Sequence, residues 1–117
     1  MRIERELMRG AGPAAVLSLL SRGEMYGYEL VETLATNTKG VLDMGQSTLY
    51  PMLYNLEAKG FVQSERRPSD QGRQRKYYSL TDSGRTRLAS ERRQWQAVTD
   101  AMSSLGVTWG MLPACAV

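Results

Sequence analysis

Histidine does not occur in this sequence, and cysteine occurs once, at Cys115. Histidine is the commonest general base and metal ligand at neutral pH, so catalytic and metal sites have little to build on. A single cysteine excludes an intrachain disulfide and leaves a structural zinc site almost without ligands. No spacing of serine, aspartate and lysine resembles a nucleophile with its base and orienting group. The sequence therefore predicts no enzyme, no metal and no cofactor.

Long apolar runs are also missing. Charged residues interrupt the N-terminus from Arg2 to Arg9, which excludes a signal-peptide pattern, and no stretch approaches the ~20 apolar residues of a membrane span. We therefore expect a soluble, cytoplasmic protein that does not interact with membranes. The 117 residues fit one compact domain, which is small enough to gain useful burial from self-association.

Positive charge is concentrated in one short segment. The formal net charge of the chain is +3. Between residues 66 and 76 there is one anion, Asp70, against five cations: Arg66, Arg67, Arg73, Arg75 and Lys76. Because this local excess is larger than the excess of the whole chain, the segment predicts a surface for a polyanion.

Three helices are predicted before this segment. Residues 1–9 have the spacing of a short amphipathic arm, and Gly10 to Pro13 interrupts it. Proline is tolerated at the first position of a helix, so we place the start of the first core helix at Pro13 and its end near Leu20. A second helix is expected from about Tyr26 to Thr38.

The third helix has the clearest pattern. Leu49, Met52, Leu53 and Leu56 form an amphipathic stripe at i, i+3, i+4 and i+7. A proline inside a helix costs ~3 kcal/mol, so Pro51 places the helix start at Ser47 or Thr48, as the N-cap. A face opposite the stripe is predicted to be exposed: Ser47, Pro51 and Tyr54, flanked by Thr48 and Asn55. A helix N-terminus there favours a phosphate.

A hairpin and a long helix follow. Residues 61–67 and 73–80 are predicted strands, joined by a turn over 68–72. Thr81 or Asp82 can cap a last helix that extends to Leu105. Its apolar residues have spacing close to a heptad, which favours packing against another helix: Leu88, Trp95, Val98, Met102 and Leu105.

This order predicts a mainly α fold with a small β-hairpin, a winged helix-turn-helix followed by a long C-terminal dimerisation helix. We assign residues 1–80 to the DNA-binding domain with its arm, 81–105 to the dimerisation helix, and 106–117 to an apolar tail, for which disorder, an extension of the dimer and a cover over a ligand pocket are the alternatives. The third helix has the size that the major groove admits. The alternatives are a merely solvated helix face and a hairpin whose charges discourage sheet aggregation.

Three separated segments resemble the PadR family of bacterial regulators: residues 26–30 (YGYEL), residues 47–60 (STLYPML and LEAKG) and residues 72–81 (GRQRKYYSLT). The resemblance implies a winged-helix domain, a C-terminal dimerisation helix and repression relieved by a small effector. It places Ser47, Thr48, Tyr50 and Pro51 of the recognition helix on DNA, with Arg73, Arg75 and Lys76 of the wing. Gln46 and Tyr26 are predicted to make lesser phosphate contacts.

A single helix after the wing makes the chain similar to the short, multidrug-sensing subfamily. That resemblance implies a planar aromatic ligand held between the C-terminal helices, at Trp95 and Val98. The alternative is that Trp95 is only a large interface residue, as its heptad spacing alone predicts. Cys115 is interpreted as an incidental thiol, with a redox switch as the alternative.

The sequence therefore predicts a homodimeric, sequence-specific DNA-binding repressor. Two recognition helices would bind a pseudo-palindromic operator with half-sites ~34 Å apart. The dimer is expected to use the last helix and the N-terminal arm, with these residues in contact: Leu7, Leu88, Trp95, Val98, Met102 and Leu105. The alternative function is a module that senses small molecules or partner proteins without specific DNA recognition.

Overall fold

Four helices pack against a small three-stranded antiparallel sheet in the computed structural model, which describes residues 1–108. The helices are α1 (Arg5–Leu20), α2 (Gly27–Asn37), α3 (Gln46–Ala58) and α4 (Asp82–Ser104), and the strands are β1 (Met25–Tyr26), β2 (Val62–Pro68) and β3 (Gln74–Leu80). The order α1-β1-α2-α3-β2-β3-α4 is that of a winged helix-turn-helix with one further helix. The predicted fold class is confirmed.

Helix α1 is continuous from Arg5 to Leu20, so the predicted interruption at Gly10 to Pro13 is wrong. Pro13 lies inside the helix, where its lack of an N–H removes one backbone hydrogen bond, and the whole proline penalty is ~3 kcal/mol. Burial on both sides of it outweighs this cost. Met8 lies before the proline and Val16 after it, and both are buried in the core; each such side chain contributes on the order of 1.5–3 kcal/mol.

Helix α3 begins at Gln46, with Gly45 as its N-cap, so the predicted N-cap at Ser47 or Thr48 is wrong. The backbone carbonyl of Gly45 accepts hydrogen bonds from Thr48 N (3.1 Å) and Leu49 N (3.0 Å). Pro51 therefore lies in the second turn of α3, although proline prefers the first turn of a helix. The apolar stripe explains the placement, since Leu49, Leu53 and Leu56 are all buried.

The sheet has the order β1-β3-β2, and all its pairs are antiparallel. The hairpin of β2 and β3 was predicted to within one residue at each strand end. Strand β1 was not predicted, because its two residues are held only by pairing with the distant β3, Met25 opposite Tyr78 and Tyr26 opposite Tyr77. It fixes the start of α2 beside the wing.

Helix α4 starts directly at the base of the wing, and its bounds agree with the prediction to within one residue. The Oγ1 atom of Thr81 accepts a hydrogen bond from Gly84 N (2.9 Å) and donates one to the Gly60 carbonyl (2.6 Å). Gly84 is buried against the backbone carbonyl of Phe61, where an added Cβ would overlap that carbonyl. The first turn of α4 is thus fixed to the segment between α3 and β2.

The core lies where α1, α2 and α3 meet the inner face of the sheet. Leu88 of α4 belongs to it: the side chain is 4% exposed and packs towards α1. The prediction that Leu88 contributes to a dimer surface is therefore corrected, since its apolar area is already covered within the chain. Within residues 1–108, no helix is long and apolar enough to cross a membrane.

Candidate nucleic-acid interface

The N-terminal half of α3 presents its polar residues to solvent. Gln46, Ser47, Thr48 and Pro51 are all exposed. No side chain caps the first turn of the helix, so its first N–H groups and the positive end of the helix dipole face outward. This face carries four of the residues predicted to contact DNA.

Tyr50, also predicted at this face, lies differently. It is half-buried, and its ring covers Gly27 at the start of α2, where an added Cβ would lie 2.5 Å from the Tyr50 phenol oxygen. Tyr50 therefore joins α3 to α2 and has only its outer part free for a ligand. Tyr54, one turn further along, is 61% exposed and lies beside Lys76 of the wing.

The wing has two chemically distinct faces, because successive side chains of a strand point to opposite sides. On β3, Lys76 shares the inner face with the buried Tyr78, whereas Arg75 points to the outer face with Tyr77. Arg66 of β2 is opposite Lys76 and shares the inner face. Arg66 was not among the predicted contacts, because a run of cations gives no strand register by itself.

On the outer face, cations stack on tyrosine rings. The guanidinium of Arg75 lies 4.4 Å from the centroid of Tyr26, and that of Arg67 lies 4.1 Å from the centroid of Tyr77. The two rings meet edge to face, with centroids 5.7 Å apart. Arg67 also pairs with Glu24 at 2.6 Å, and this contact raises the pKa of Arg67 further. Because Glu24 offsets the charge of Arg67, Arg75 has more of its charge available to a ligand than Arg67 has.

On the inner face, Lys76 lies between α3 and the sheet. Its Nζ atom is 5.3 Å from the centroid of Tyr54 and 3.7 Å from a carboxylate oxygen of Glu57. The other Glu57 oxygen accepts a hydrogen bond from Ser64 Oγ at 2.6 Å. Glu57 therefore holds the lysine in position and offsets part of its charge.

Arg73 extends the cationic surface beyond the strands. It lies in the turn rather than in β3, where its carbonyl accepts a hydrogen bond from Ser69 N at 2.6 Å. Gly72 takes a left-handed φ of 80° to complete this turn, a conformation that costs glycine little. The turn carries the Arg73 side chain to the exposed tip of the wing.

Some residues from both faces of the wing line one open groove of about 560 Å³ between the start of α2, the flank of α3 and the wing. Its walls combine tyrosine rings with cations, including Tyr26, Tyr54, Arg66, Arg73, Arg75 and Lys76. Arginine, lysine and tyrosine are side chains that commonly contact phosphate oxygens of DNA. The structure thus brings the predicted wing residues together with Tyr26 and Tyr50.

The remaining predicted residues lie on another side of the molecule. Trp95, Val98 and Met102 of α4 are between 39% and 46% exposed, and Leu105 and Leu7 are more exposed still. Trp95 borders a cavity of about 270 Å³ between α4 and α1, whose α1 wall consists of small residues: Ala11, Ala14, Ala15 and Ser18. The predicted tail residues beyond Thr108, with Trp109 and Cys115, lie outside the described part of the chain.

Residues 16–90 match the family described as Transcriptional regulator PadR-like family. The transcriptional regulator Rv3488 of Mycobacterium tuberculosis is 37% identical over 89 residues, which are 76% of this chain and 79% of that protein. A crystal structure of a PadR family transcriptional regulator from Eggerthella lenta is 38% identical, with a TM-score of 0.76 over 89% of this chain and 88% of the other.

A more distant relative is the negative transcriptional regulator PadR of Bacillus subtilis, 31% identical over 74 residues. The match covers 63% of this chain but only 41% of that protein. A crystal structure of Bacillus subtilis PadR in complex with operator DNA is similar with a TM-score of 0.63 and 29% identity, over 68% of this chain and 45% of the other.

Proposed function

We propose, from the premise that this chain belongs to the PadR-like family of transcriptional regulators, that it is a homodimeric repressor that binds a pseudo-palindromic operator through α3 and the wing. The family membership confirms the resemblance identified in the sequence. Because the family and the named relatives are described as transcriptional regulators, the prediction that the chain is not an enzyme is confirmed as well.

The observation that carries this proposal is the adjacency of a polar, exposed recognition face and a basic groove. The side chains of Ser47, Thr48 and Pro51 would enter the major groove and contact base edges. Arg73, Arg75 and Lys76 would contact the neighbouring phosphates, with Tyr26, Gln46 and the outer part of Tyr50 beside them. The similarity to the Bacillus subtilis PadR structure, which holds operator DNA, supports DNA as the ligand of these surfaces.

The dimer in this proposal forms through the exposed apolar residues of α4. Trp95, Val98, Met102 and Leu105 follow the steps 3, 4 and 3 that bring side chains to one side of a helix. A row of large apolar side chains that is this exposed is typical of a protein interface. Leu7 on α1 would extend the same surface, and residues 81–105 would form the dimerisation unit.

The effector in this proposal is a planar aromatic compound between the Trp95 side chains of two subunits. Stacking on an indole contributes on the order of 1 kcal/mol for each face. The small residues of α1 beside Trp95 leave the cavity of about 270 Å³, which supports a flat ligand. Release of DNA requires that the compound binds the DNA-free arrangement of the dimer more tightly than the bound one. The negative role of the Bacillus subtilis relative supports repression.

Selection of duplexes from a randomised library tests the recognition face. We expect the wild-type protein to enrich a pseudo-palindrome, and S47A/T48A to enrich a different sequence while its affinity for non-specific DNA changes little. S83A/T86A is the matched control, because it removes the same two hydroxyls from exposed positions of α4. Enrichment of the same sequence by S47A/T48A would contradict the recognition role of these residues.

Tryptophan fluorescence tests the effector site. A planar aromatic cation that releases the selected duplex should quench the fluorescence of the wild-type protein. The two tryptophans of the chain, Trp95 and Trp109, allow a matched pair of variants. W95F should lose both quenching and DNA release, whereas W109F should keep them. Quenching and DNA release by W95F equal to those of the wild-type protein would remove Trp95 from ligand binding.

A further inference from the structure

A second basic groove lies along the opposite flank of α3 from the wing. It has a volume of about 750 Å³ and separates α3 from the N-terminal segment. Thr48, Pro51 and Asn55 form its α3 wall, and the facing wall carries Arg2, Arg5 and Arg9. The groove shares Thr48 and Pro51 with the recognition face, so any duplex contacted by that face also passes this groove.

The three arginines give the groove an excess of positive charge. The acidic residue among its lining side chains is Asp43. All three arginines are exposed, and none of them forms an ion pair with another residue of the described part, 1–108. Their charges are therefore not offset by a contact of the kind that Glu57 makes with Lys76.

The segment that carries these arginines is fixed by apolar contacts. Ile3 packs against the core and Met8 is 7% exposed within it. Arg5 and Arg9 are one helical turn apart on α1 and therefore lie on the same side. Leu7 lies on the other side of the helix, at 100° per residue, so the dimer contact proposed for Leu7 does not compete with a ligand of the arginines.

A helix in the major groove has one sugar-phosphate strand on each side. The wing accounts for the cations on one side of α3, and the groove of Arg2, Arg5 and Arg9 provides them on the other. We propose that these three arginines bind the phosphates of the DNA strand opposite the one that the wing contacts, so that α3 is held from both sides. This inference rests on the proposed DNA-binding function and adds a second phosphate-binding surface to it.

Salt-dependent binding of R5Q/R9Q to a duplex of about 30 base pairs tests the inference. Phosphate contacts do not depend on base sequence, so a mixed-sequence duplex serves as the probe. We expect the variant to bind roughly tenfold more weakly at 0.1 M salt, and the slope of log K against log salt to fall by about one for each phosphate that is no longer neutralised. R5K/R9K keeps the charges and should keep most of the slope.

The matched control is R85Q/R93Q, which removes two exposed arginines of α4 that line neither groove beside α3. Circular dichroism and sedimentation check that each variant folds and keeps the oligomeric state of the wild-type protein. A slope for R5Q/R9Q equal to that of the wild-type protein, or equal to that of R85Q/R93Q, would overturn the inference. If no sequence is enriched from the library but the slopes differ as expected, sequence recognition fails and the phosphate contact stands.

Discussion

Tyr78 is the residue at which the wing, α3 and the core meet. It is one of the largest side chains that the fold buries completely, at 2% exposure, and Lys76 is placed over the same ring at 5.5 Å from its centroid. Burial, and secondarily the carboxylate of Glu57, raise the pKa of Tyr78 to about 12. The neutral phenol is therefore part of what holds the inner face of the wing against the helices.

This pKa predicts a loss of stability at alkaline pH. The unfolded chain ionises its tyrosines near pH 10, below the pKa in the folded state, so the contribution of Tyr78 is complete below about pH 10 and is lost as pH rises towards 12. Y78F should show a smaller alkaline decrease in the free energy of unfolding, measured with denaturant. Y54F changes an exposed phenol and should decrease as the wild-type protein does. Equal alkaline decreases in Y78F and the wild-type protein would show that Tyr78 ionises normally.

At the scale of elements, the wing carries cations on both faces of its hairpin, and only some of these cations are free of an ion pair in the described part of the chain. Glu24 offsets Arg67 on the outer face and Glu57 offsets Lys76 on the inner face. Arg75 and Arg73 have no such ion pair within residues 1–108. We therefore expect these two side chains to supply most of the sequence-independent affinity of the wing.

R73A and R75A test that expectation. Each should weaken binding to all duplexes alike, and the salt slope should fall by about one for each phosphate that the variant no longer binds. R67A is the matched control on the same hairpin, and its effect should be smaller because Glu24 already neutralises Arg67. If R73A and R75A both kept the wild-type salt dependence, Arg73 and Arg75 would have no part in DNA binding.

The elements also show what the sequence alone predicts. The stripe of α3, the hairpin and the caps of α4 depend on neighbours a few residues away, and they were predicted almost to the residue. Strand β1 and the continuity of α1 depend on distant partners, Tyr77 and Tyr78 for β1 and the helix core for α1. Gly10 and Pro13 predicted a break in the first helix, but packing against the core keeps α1 continuous.

The candidate site follows the same rule. The exposed polar face of α3 and the basic hairpin were evident in the sequence, and the resemblance to the PadR family implied which of their side chains contact DNA. Which cations share a face was not evident. Arg66 joins Lys76 only through the strand register, and Arg5 and Arg9 face α3 only because α1 is one unbroken helix.

At the scale of the whole molecule, the proposed dimer depends on the exposed apolar residues of α4. Leu88 is used within the chain, so the surface available to a partner begins at Trp95 and continues to Leu105. Val98 lies near its middle and is 46% exposed. A charge placed there would be buried without a counterion if this surface forms the dimer.

V98E should therefore dissociate the proposed dimer. An unpaired charge in an interface costs on the order of 3 kcal/mol, which corresponds to a more than hundredfold weaker association. Sedimentation should detect monomers at concentrations where the wild-type protein is dimeric, and affinity for the selected palindrome should fall with it. A97E places the same charge at an exposed position outside the apolar row of α4 and should remain dimeric. A dimeric V98E would move the interface elsewhere.

The junction at Thr81 ties the start of α4 to the turn after α3 and the segment before β2. Its hydroxyl bonds to both Gly60 and Gly84, and the first turn of α4 lies directly on the Phe61 backbone. The 23-residue helix, roughly 35 Å long, is therefore anchored at its start to the segment between α3 and β2. In the proposed dimer, a small change in the direction of α4 would therefore produce a larger displacement of the DNA-binding domain attached to it. A flat molecule bound between the two α4 helices would change the angle between them. A change of a few degrees would displace the two DNA-binding domains by ångströms, so that their spacing would no longer match successive turns of the duplex.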